Sequence, residues 1–240
     1  MSVTNPAPEI RLNDVQLKLG DTKFHFNCRL PAGSITAIAG SSGSGKSTLL
    51  NLIAGFEKPD QGEILFNEQE VNNLHPSERP ISLIFQDNNL FGHLNIYTNI
   101  GLGISPSLAL TSQDRRAINR ALERVGLGGM EQRMPATLSG GERQRVSFAR
   151  ALVRQKPILL LDEPFAALDP GLRSGMVTLL LQLHEEMSST IAIVTHDPQE
   201  LLRLASNVIF IHEGKVLLQE PVGQFVSRQD MPSVSKFLVD

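Results

Sequence analysis

The chain has one cysteine, Cys28, among 240 residues. A lone thiol excludes an intrachain disulfide and a cysteine-based zinc site, and it suits a reducing compartment. Long apolar runs are also missing, with no stretch near the roughly eighteen residues that suggest a membrane-spanning helix. The start, Met1 to Glu9, is polar and proline-containing with no apolar h-region, which predicts a chain that neither enters a secretory route nor crosses a bilayer. Work at a membrane would then need another protein to hold it there. Basic excess is lacking too. Lys+Arg number 22 against 25 Asp+Glu, for a net charge of −3 and a pI near 6.1. A nucleic-acid surface normally leaves a basic stripe, so nucleic acid is not an expected partner. No repeat, low-complexity tract or long linker interrupts the chain, and 41% apolar residues suffice for a substantial core.

Against these absences stands Gly40-Ser41-Ser42-Gly43-Ser44-Gly45-Lys46-Ser47, which fits G-x-x-x-x-G-K-[ST] at every fixed position. Its glycines and small serines let successive backbone N–H groups turn inward and form a concave anion site. Lys46 adds a point charge for outer phosphates, and the Ser47 hydroxyl is a ligand of the type that a hard Mg²⁺ accepts. Upstream, 34–39 reads as a short strand. Downstream, Ser47 to Ala54 is Leu-rich and helical until Gly55 stops it. That strand, loop, helix order adds a helix N-terminus to the phosphate cradle.

The rest of the chain alternates strands and helices. Glu9 to Arg29 reads as two antiparallel strands about Gly20-Asp21, and 63–67 and 81–85 read as further strands. From Asp87 to Lys156 no convincing strand occurs, which suggests a helical insert. Ser112 is the expected N-cap of a helix carrying Ile118, Leu122 and Val125, and a second helix starts at Ser139 with Arg143, Arg145, Arg150 and Arg154 on a solvated face. Ile158 to Leu161 is an apolar run, as in a parallel strand covered on both faces. Helices over 171–187 and 199–205, a strand over 190–195 and a hairpin about Glu213-Gly214 complete a three-layer α/β core.

Strand ends carry the chemistry, as in open parallel sheets generally. Asp162 can serve Mg²⁺, directly or through water, and Glu163 can deprotonate an attacking water. His196 either hydrogen-bonds a transferring γ-phosphate or is structural. Gln86 either approaches Mg²⁺ or the water, or caps Phe85. Leu138-Ser139-Gly140-Gly141-Glu142-Arg143-Gln144 places two glycines and a serine at a helix start, which is either a second anion site or an ordinary N-cap with Ser139 and Glu142 as a capping box.

In this order and spacing, Gly40 to Ser47, Gln86, Leu138 to Gln144, Leu161-Asp162-Glu163-Pro164, Ala167-Leu168-Asp169 and His196 resemble the nucleotide-binding subunit of an ABC transporter over nearly the whole chain. The resemblance implies a P-loop NTPase core with an N-terminal antiparallel β subdomain and an inserted helical subdomain at about 87–156, the whole of 1–240 being one ATP-binding domain. It further implies that two subunits meet head to tail and close two Mg²⁺-ATP molecules between them. Gly40, Ser41, Ser42, Gly43, Ser44, Gly45, Lys46 and Thr48 would hold ATP, while Ser47, Asp162 and Gln86 would serve Mg²⁺. Glu163 would be the general base, His196 the γ-phosphate sensor, and Gln86 the link to a transmembrane permease. Asp169 would contact the opposing subunit. Ser139 and Gly141, with Gly140 and Glu142, would face the nucleotide of the other chain.

Three positions depart from the family pattern: Leu19 replaces the usual adenine-stacking aromatic, with Phe24 only a distant substitute; Glu142 stands where Gln is commonest; and Ala166 stands where Ser is frequent. The stretches 49–56, 85–94 and 99–103 are similar to the ATPases of bacterial thiamine importers. That implies a peripheral protein on the cytoplasmic face of the inner membrane, served indirectly by a periplasmic solute-binding protein. The alternatives are an importer ATPase for a polyamine or ferric ion, and a soluble ABC-type ATPase of DNA repair or translation.

Overall fold

Strand β3, Ile35–Ala39, is buried at every position because other elements cover both its faces. Around it, the computed structural model of the chain builds a sheet of ten strands among the described residues, which are 7–85, 89–228 and 230–239. Four strands before and after β3 form an antiparallel unit: β1 (Ile10–Leu19), β2 (Thr22–Leu30), β4 (Gln61–Phe66) and β5 (Gln69–Glu70). The parallel part comprises β3 with β6 (Ile81–Ile84), β7 (Ile158–Asp162), β8 (Thr190–Val194) and β9 (Asn207–His212). Strand β10 (Lys215–Pro221) pairs antiparallel with β9 and meets β2 at a single parallel register pair, Lys215 with His25. The strand order is β5-β4-β1-β2-β10-β9-β3-β8-β7-β6. The antiparallel unit and the parallel core are therefore one sheet joined along a narrow seam.

Alternation along the parallel strands feeds two cores. Ile38, Ala192, Val194, Ile209 and Ile211 face the antiparallel unit and helix α1 (Lys46–Ala54). Ala37, Ile191, Ile193, Val208 and Phe210 face the helices of the opposite layer. Those helices include α2 (Ile96–Gly101), α3 (Ser112–Arg124) and α4 (Gly140–Arg154), with a 3-10 turn at Pro135–Thr137. After β7 come α5 (Pro170–Met187) and α6 (Pro198–Leu204), and the chain closes with α7 (Val222–Phe225) and α8 (Pro232–Val239). Phe225 and Phe237 pack on Phe210 and tie the last two helices to the sheet. Cys28 is buried in the other core, and burial pushes its thiol up to about 12, so the lone thiol stays protonated and unreactive.

Two local expectations need correction. Helix α3 is capped by Thr111, not Ser112. The Thr111 hydroxyl accepts from the Asp114 N–H, while the Asp114 carboxylate accepts from the Thr111 N–H, and only that register closes the reciprocal box. Nor is the arginine run of α4 simply a solvated face. Arg143 donates to Leu138 O, Arg145 to Val125 O and Gly126 O, and Arg150 to Asn89 O, leaving only Arg154 of the four fully exposed. Helical periodicity finds the outward face but not the loop carbonyls that fold back over it.

Candidate active site

The glycines of the loop between β3 and α1 are set by two walls. At Gly40, where φ is +147°, an added Cβ would lie 2.2 Å from the Ile211 carbonyl oxygen on β9. At Gly45, where φ is +109°, it would lie 2.9 Å from the Phe24 ring on β2. Neither position accepts a side chain. The Gly214 N–H donates to Ser44 O at 3.0 Å and holds the loop from behind. Lys46 is buried, and its Nζ donates to Gly40 O at 3.0 Å and Ser41 O at 2.9 Å. Ser41, Ser42 and Gly43 form the exposed rim. Helix α1 begins on Gly45, which offers no side-chain acceptor, and its first turn has no acidic residue, so its N-terminal N–H groups suit an anion. Ser44 Oγ, buried beside them, has no protein partner.

Sheet order brings the remaining groups to this loop, because β8 lies beside β3 and β7 beside β8. Asp162 ends β7 opposite Val194, and the Glu163 N–H donates to Val194 O at 3.1 Å. Asp162 accepts a hydrogen bond from the Ser47 hydroxyl, yet burial is the stronger influence and raises its carboxyl above the usual range, with the Glu163 charge adding to the rise. Desolvation lowers the Lys46 ammonium, opposed by the nearby Glu163 and Asp162 charges. Glu163 takes a left-handed conformation at φ +46°, a strained setting for a non-glycine residue. Its carboxylate lies 3.4 Å from His196 Nδ1. Lys46, Ser47, Asp162, Glu163 and His196 thus form one cluster at the C-terminal ends of parallel strands, while Thr48 is half-buried in the first turn of α1. Gln86 lies outside the described residues.

The donor set fits a hard cation. Ser47 and Asp162 present adjacent oxygens, and among the described residues no group of three or more His, Cys, Asp or Glu side chains forms a metal cage. A cation held there would take its remaining ligands from substrate oxygens and water, as Mg²⁺ does.

Ser139 to Glu142 lie elsewhere. Ser139 caps α4, accepting from the Glu142 N–H at 3.1 Å while the Glu142 carboxylate accepts from the Ser139 N–H at 2.6 Å. Hydrogen bonds from the Ser139 N–H and then its hydroxyl hold the half-buried Glu142 carboxyl below its usual range. Gly140 and Gly141 face Ala167 and Leu168, so this turn abuts the stretch leading to Asp169. Asp169 in turn caps α5, accepting from the Leu172 N–H at 3.0 Å. Among the described residues no hydrogen bond or ion pair joins 139–142 to 40–47. Phe24 is buried, stacked on Phe26 and pressed under Gly45, so it serves as the floor of the loop and not as a face for a base. Leu19 is part-exposed at the end of β1.

Two features were not expected from the sequence. Arg79, 1% exposed, donates to Leu52 O and Ile53 O at the end of α1, and to Val71 O and Leu74 O. It caps the far end of the helix that begins at the phosphate loop, and its desolvation lowers the guanidinium's basicity. Behind His196, Thr195 donates to Glu200, whose carboxyl is raised chiefly by burial. Arg173 of α5 reaches both Asp197 and Glu200. A helix over 199–205 was expected, but its start at Asp197-Pro198 and the ion pairs across that start were not.

The family described as ABC transporter matches residues 24–166, which span the loop, Asp162 and Glu163. The chain belongs to that family. Among curated ABC relatives, the thiamine import ATP-binding protein ThiQ of Rhizobium meliloti is 49% identical over 229 residues, covering 95% of this chain and 96% of that protein. The protein of the same name from Aliivibrio fischeri is 44% identical over 229 residues, covering 95% and 98%. Among solved ABC structures, a dimeric ATP-binding cassette in a post-hydrolysis state, bound to ADP and Pi, superposes with a TM-score of 0.79 at 32% identity, covering 89% of this chain and 98% of that one.

Proposed function

We propose that this chain is the ATP-hydrolysing subunit of a bacterial ABC importer for thiamine, working as a nucleotide-bridged pair on a separate permease. The observation that carries the hydrolytic reading is the gathering of Lys46, Ser47, Asp162, Glu163 and His196 at the C-terminal ends of neighbouring parallel strands. The cargo rests on the names of the relatives, which match this chain over nearly its full length.

The loop N–H groups and Lys46 bind and orient the outer phosphates, and the N-terminus of α1 favours their charge. Mg²⁺, held by Ser47 and Asp162, would neutralise charge on the phosphate oxygens. Glu163 takes the proton of the attacking water, its carboxylate held by the constrained backbone and by the neighbouring His196. His196, largely exposed, is free to turn toward a γ-phosphate. Separation of Ser139 from its own phosphate loop supports the second copy, since the Ser139–Glu142 turn then serves a nucleotide bound elsewhere. Ala167 to Asp169 share that face. For the permease, the supporting feature is an open groove of about 350 Å³ lined by Phe56, Phe85, Phe91, Leu102 and Arg150, with Phe56 54% and Phe91 49% exposed. It lies where the inserted helices meet the core, close in sequence to Gln86. On this reading the chain works at the cytoplasmic face of the inner membrane, while any solute-binding protein acts on the permease from the far side. Among the described residues no helix is long and apolar enough to cross a membrane.

The test is uptake of labelled thiamine, spermidine and ferric ion in cells lacking the gene, complemented by wild type or by Glu163→Gln. Selective loss of thiamine uptake, restored only by wild type, is expected. Loss of spermidine or ferric uptake instead would reassign the cargo, and recovery of ribosomes or DNA in place of a polytopic membrane protein in a detergent pull-down would overturn the transport reading.

A further inference from the structure

The charged cluster behind His196 is more buried and more connected than a solvated turn requires. Thr195, 2% exposed, sits between β8 and His196, and its hydroxyl donates to Glu200 Oε2 at 2.6 Å. The same hydroxyl accepts from the Asp197 N–H at 3.1 Å, so the residues on both sides of His196 are pinned to one oxygen. Asp197 Oδ1 caps α6 by accepting from the Gln199 N–H at 2.8 Å. Its other oxygen accepts from Arg173 Nη1 at 3.0 Å, while Arg173 Nε lies 3.7 Å from Glu200 Oε1. Arg173 belongs to α5, and its own N–H donates to Asp169 O at 2.8 Å. One guanidinium therefore joins the turn that ends at Asp169 to the turn that carries His196.

None of these four side chains contacts the phosphate loop in the hydrogen bonds and ion pairs described, so they act on the reaction only through what they hold. His196 itself has one described ion-pair partner, Glu163, at 3.4 Å, feels the Glu200 charge besides, and is mostly exposed, so its backbone must be fixed from elsewhere for the ring to have a defined aim. A buried carboxylate such as Glu200, paired with a cation and a hydroxyl, is a rigid means of fixing it.

We propose that Arg173, Asp197, Glu200 and Thr195 are positioning residues that set the aim of His196, and that Arg173 transmits to it the position of the Asp169 turn. This rests on the reading of His196 as a γ-phosphate contact. A displacement of about 1 Å at a reacting group costs up to roughly a hundredfold in rate. Arg173→Met should therefore lower kcat about tenfold while KM for Mg-ATP stays within about twofold.

The test compares purified wild type with Arg173→Met, His196→Ala and the double variant in steady-state ATPase assays. It adds the imidazole ¹³C–¹H signal of His196, assigned by its loss in His196→Ala. If Arg173 acts through His196, Arg173→Met costs about tenfold in the parent but less than about twofold in the His196→Ala background, and the His196 signal shifts or broadens. Arg173→Lys, keeping one of the two contacts, should recover part of kcat. Equal losses in both backgrounds, or an unmoved His196 signal, would overturn the proposal while leaving the site reading intact. Full activity of His196→Ala would overturn both. Should Arg173→Met fail to fold, Glu200→Gln, which keeps shape and volume, carries the same comparison.

Discussion

Replacement of Arg79 by Met should loosen the helix that presents the phosphate loop, and the size of the loss follows from the carbonyls left behind. Four acceptors surround the guanidinium, but they are not equal. Leu52 O also accepts from the Gly55 N–H at 3.2 Å, Val71 O from the Leu74 N–H at 3.1 Å, and the Arg79 bond to Leu74 O is long at 3.3 Å. Ile53 O, bonded to Arg79 at 2.7 Å, is the acceptor most dependent on it. One stranded carbonyl and two weakened ones at about 1–3 kcal/mol each give a gross loss of about 3–9 kcal/mol, and loss of a cation from the C-terminal end of α1 adds up to about 2 kcal/mol. Relief from burying a guanidinium without a carboxylate returns several kcal/mol, so a net loss of about 3 kcal/mol is expected. At a urea slope of about 3 kcal/mol/M the unfolding midpoint falls by about 1 M with the slope unchanged. Arg79→Lys, with one compact ammonium in place of a planar fork, should fall between. A Met variant whose midpoint stays within about 0.3 M of wild type would refute this account, because the carbonyls would then have found water or other donors.

Other outcomes follow from the site. Glu163→Gln should retain ATP binding, abolish turnover and accumulate an ATP-dependent dimer by size exclusion; normal hydrolysis would remove Glu163 from its role as base. Gly45→Ala forces a methyl against Phe24, whereas Gly43→Ala meets nothing within 4 Å, so nucleotide affinity measured by calorimetry should collapse in the first and fall only about five- to thirtyfold in the second, about 1–2 kcal/mol. Equal losses would contradict the fixed-wall picture. Asp162 has its carboxyl raised by burial, so near its ordinary value of 3.8 the unfolded chain releases a proton that the native chain keeps. The native state then holds more protons, and stability falls as pH climbs from that value through the raised one. Asp162→Asn should therefore raise the melting temperature of nucleotide-free protein at neutral pH and flatten its acid-side pH dependence, while losing Mg²⁺-dependent ATP binding. A lower melting temperature at pH 7 would contradict the assigned cause.

The site was legible where its chemistry is local. Gly40 to Ser47 carries its turn, charge and hydroxyl in eight consecutive residues, and Asp162 and Glu163 follow an apolar strand whose burial is written in its own residues. What supports these groups was not legible. Arg79 bonds backbone carbonyls, which every residue possesses, so no side-chain pattern marks its partners. Phe24 reads equally as a strand residue and as a ring offered to a base; only the sheet's closure over Gly45 decides. Thr111 and Ser112 are both good caps, and the choice turned on which of them reaches Asp114. The arginines of α4 keep helical spacing, but the loops over them come from residues some twenty to sixty positions away.

The phosphate loop is braced by Phe24 on one side and by Ile211 and Gly214 on the other, residues among the earlier and the later parts of the chain to leave a ribosome. A nascent chain that has made Lys46 still lacks the rear support of its cradle until more than 160 further residues have emerged. A copy that stops short of Ile211 therefore carries the whole phosphate-loop motif in its sequence yet lacks one of the two walls that shape it.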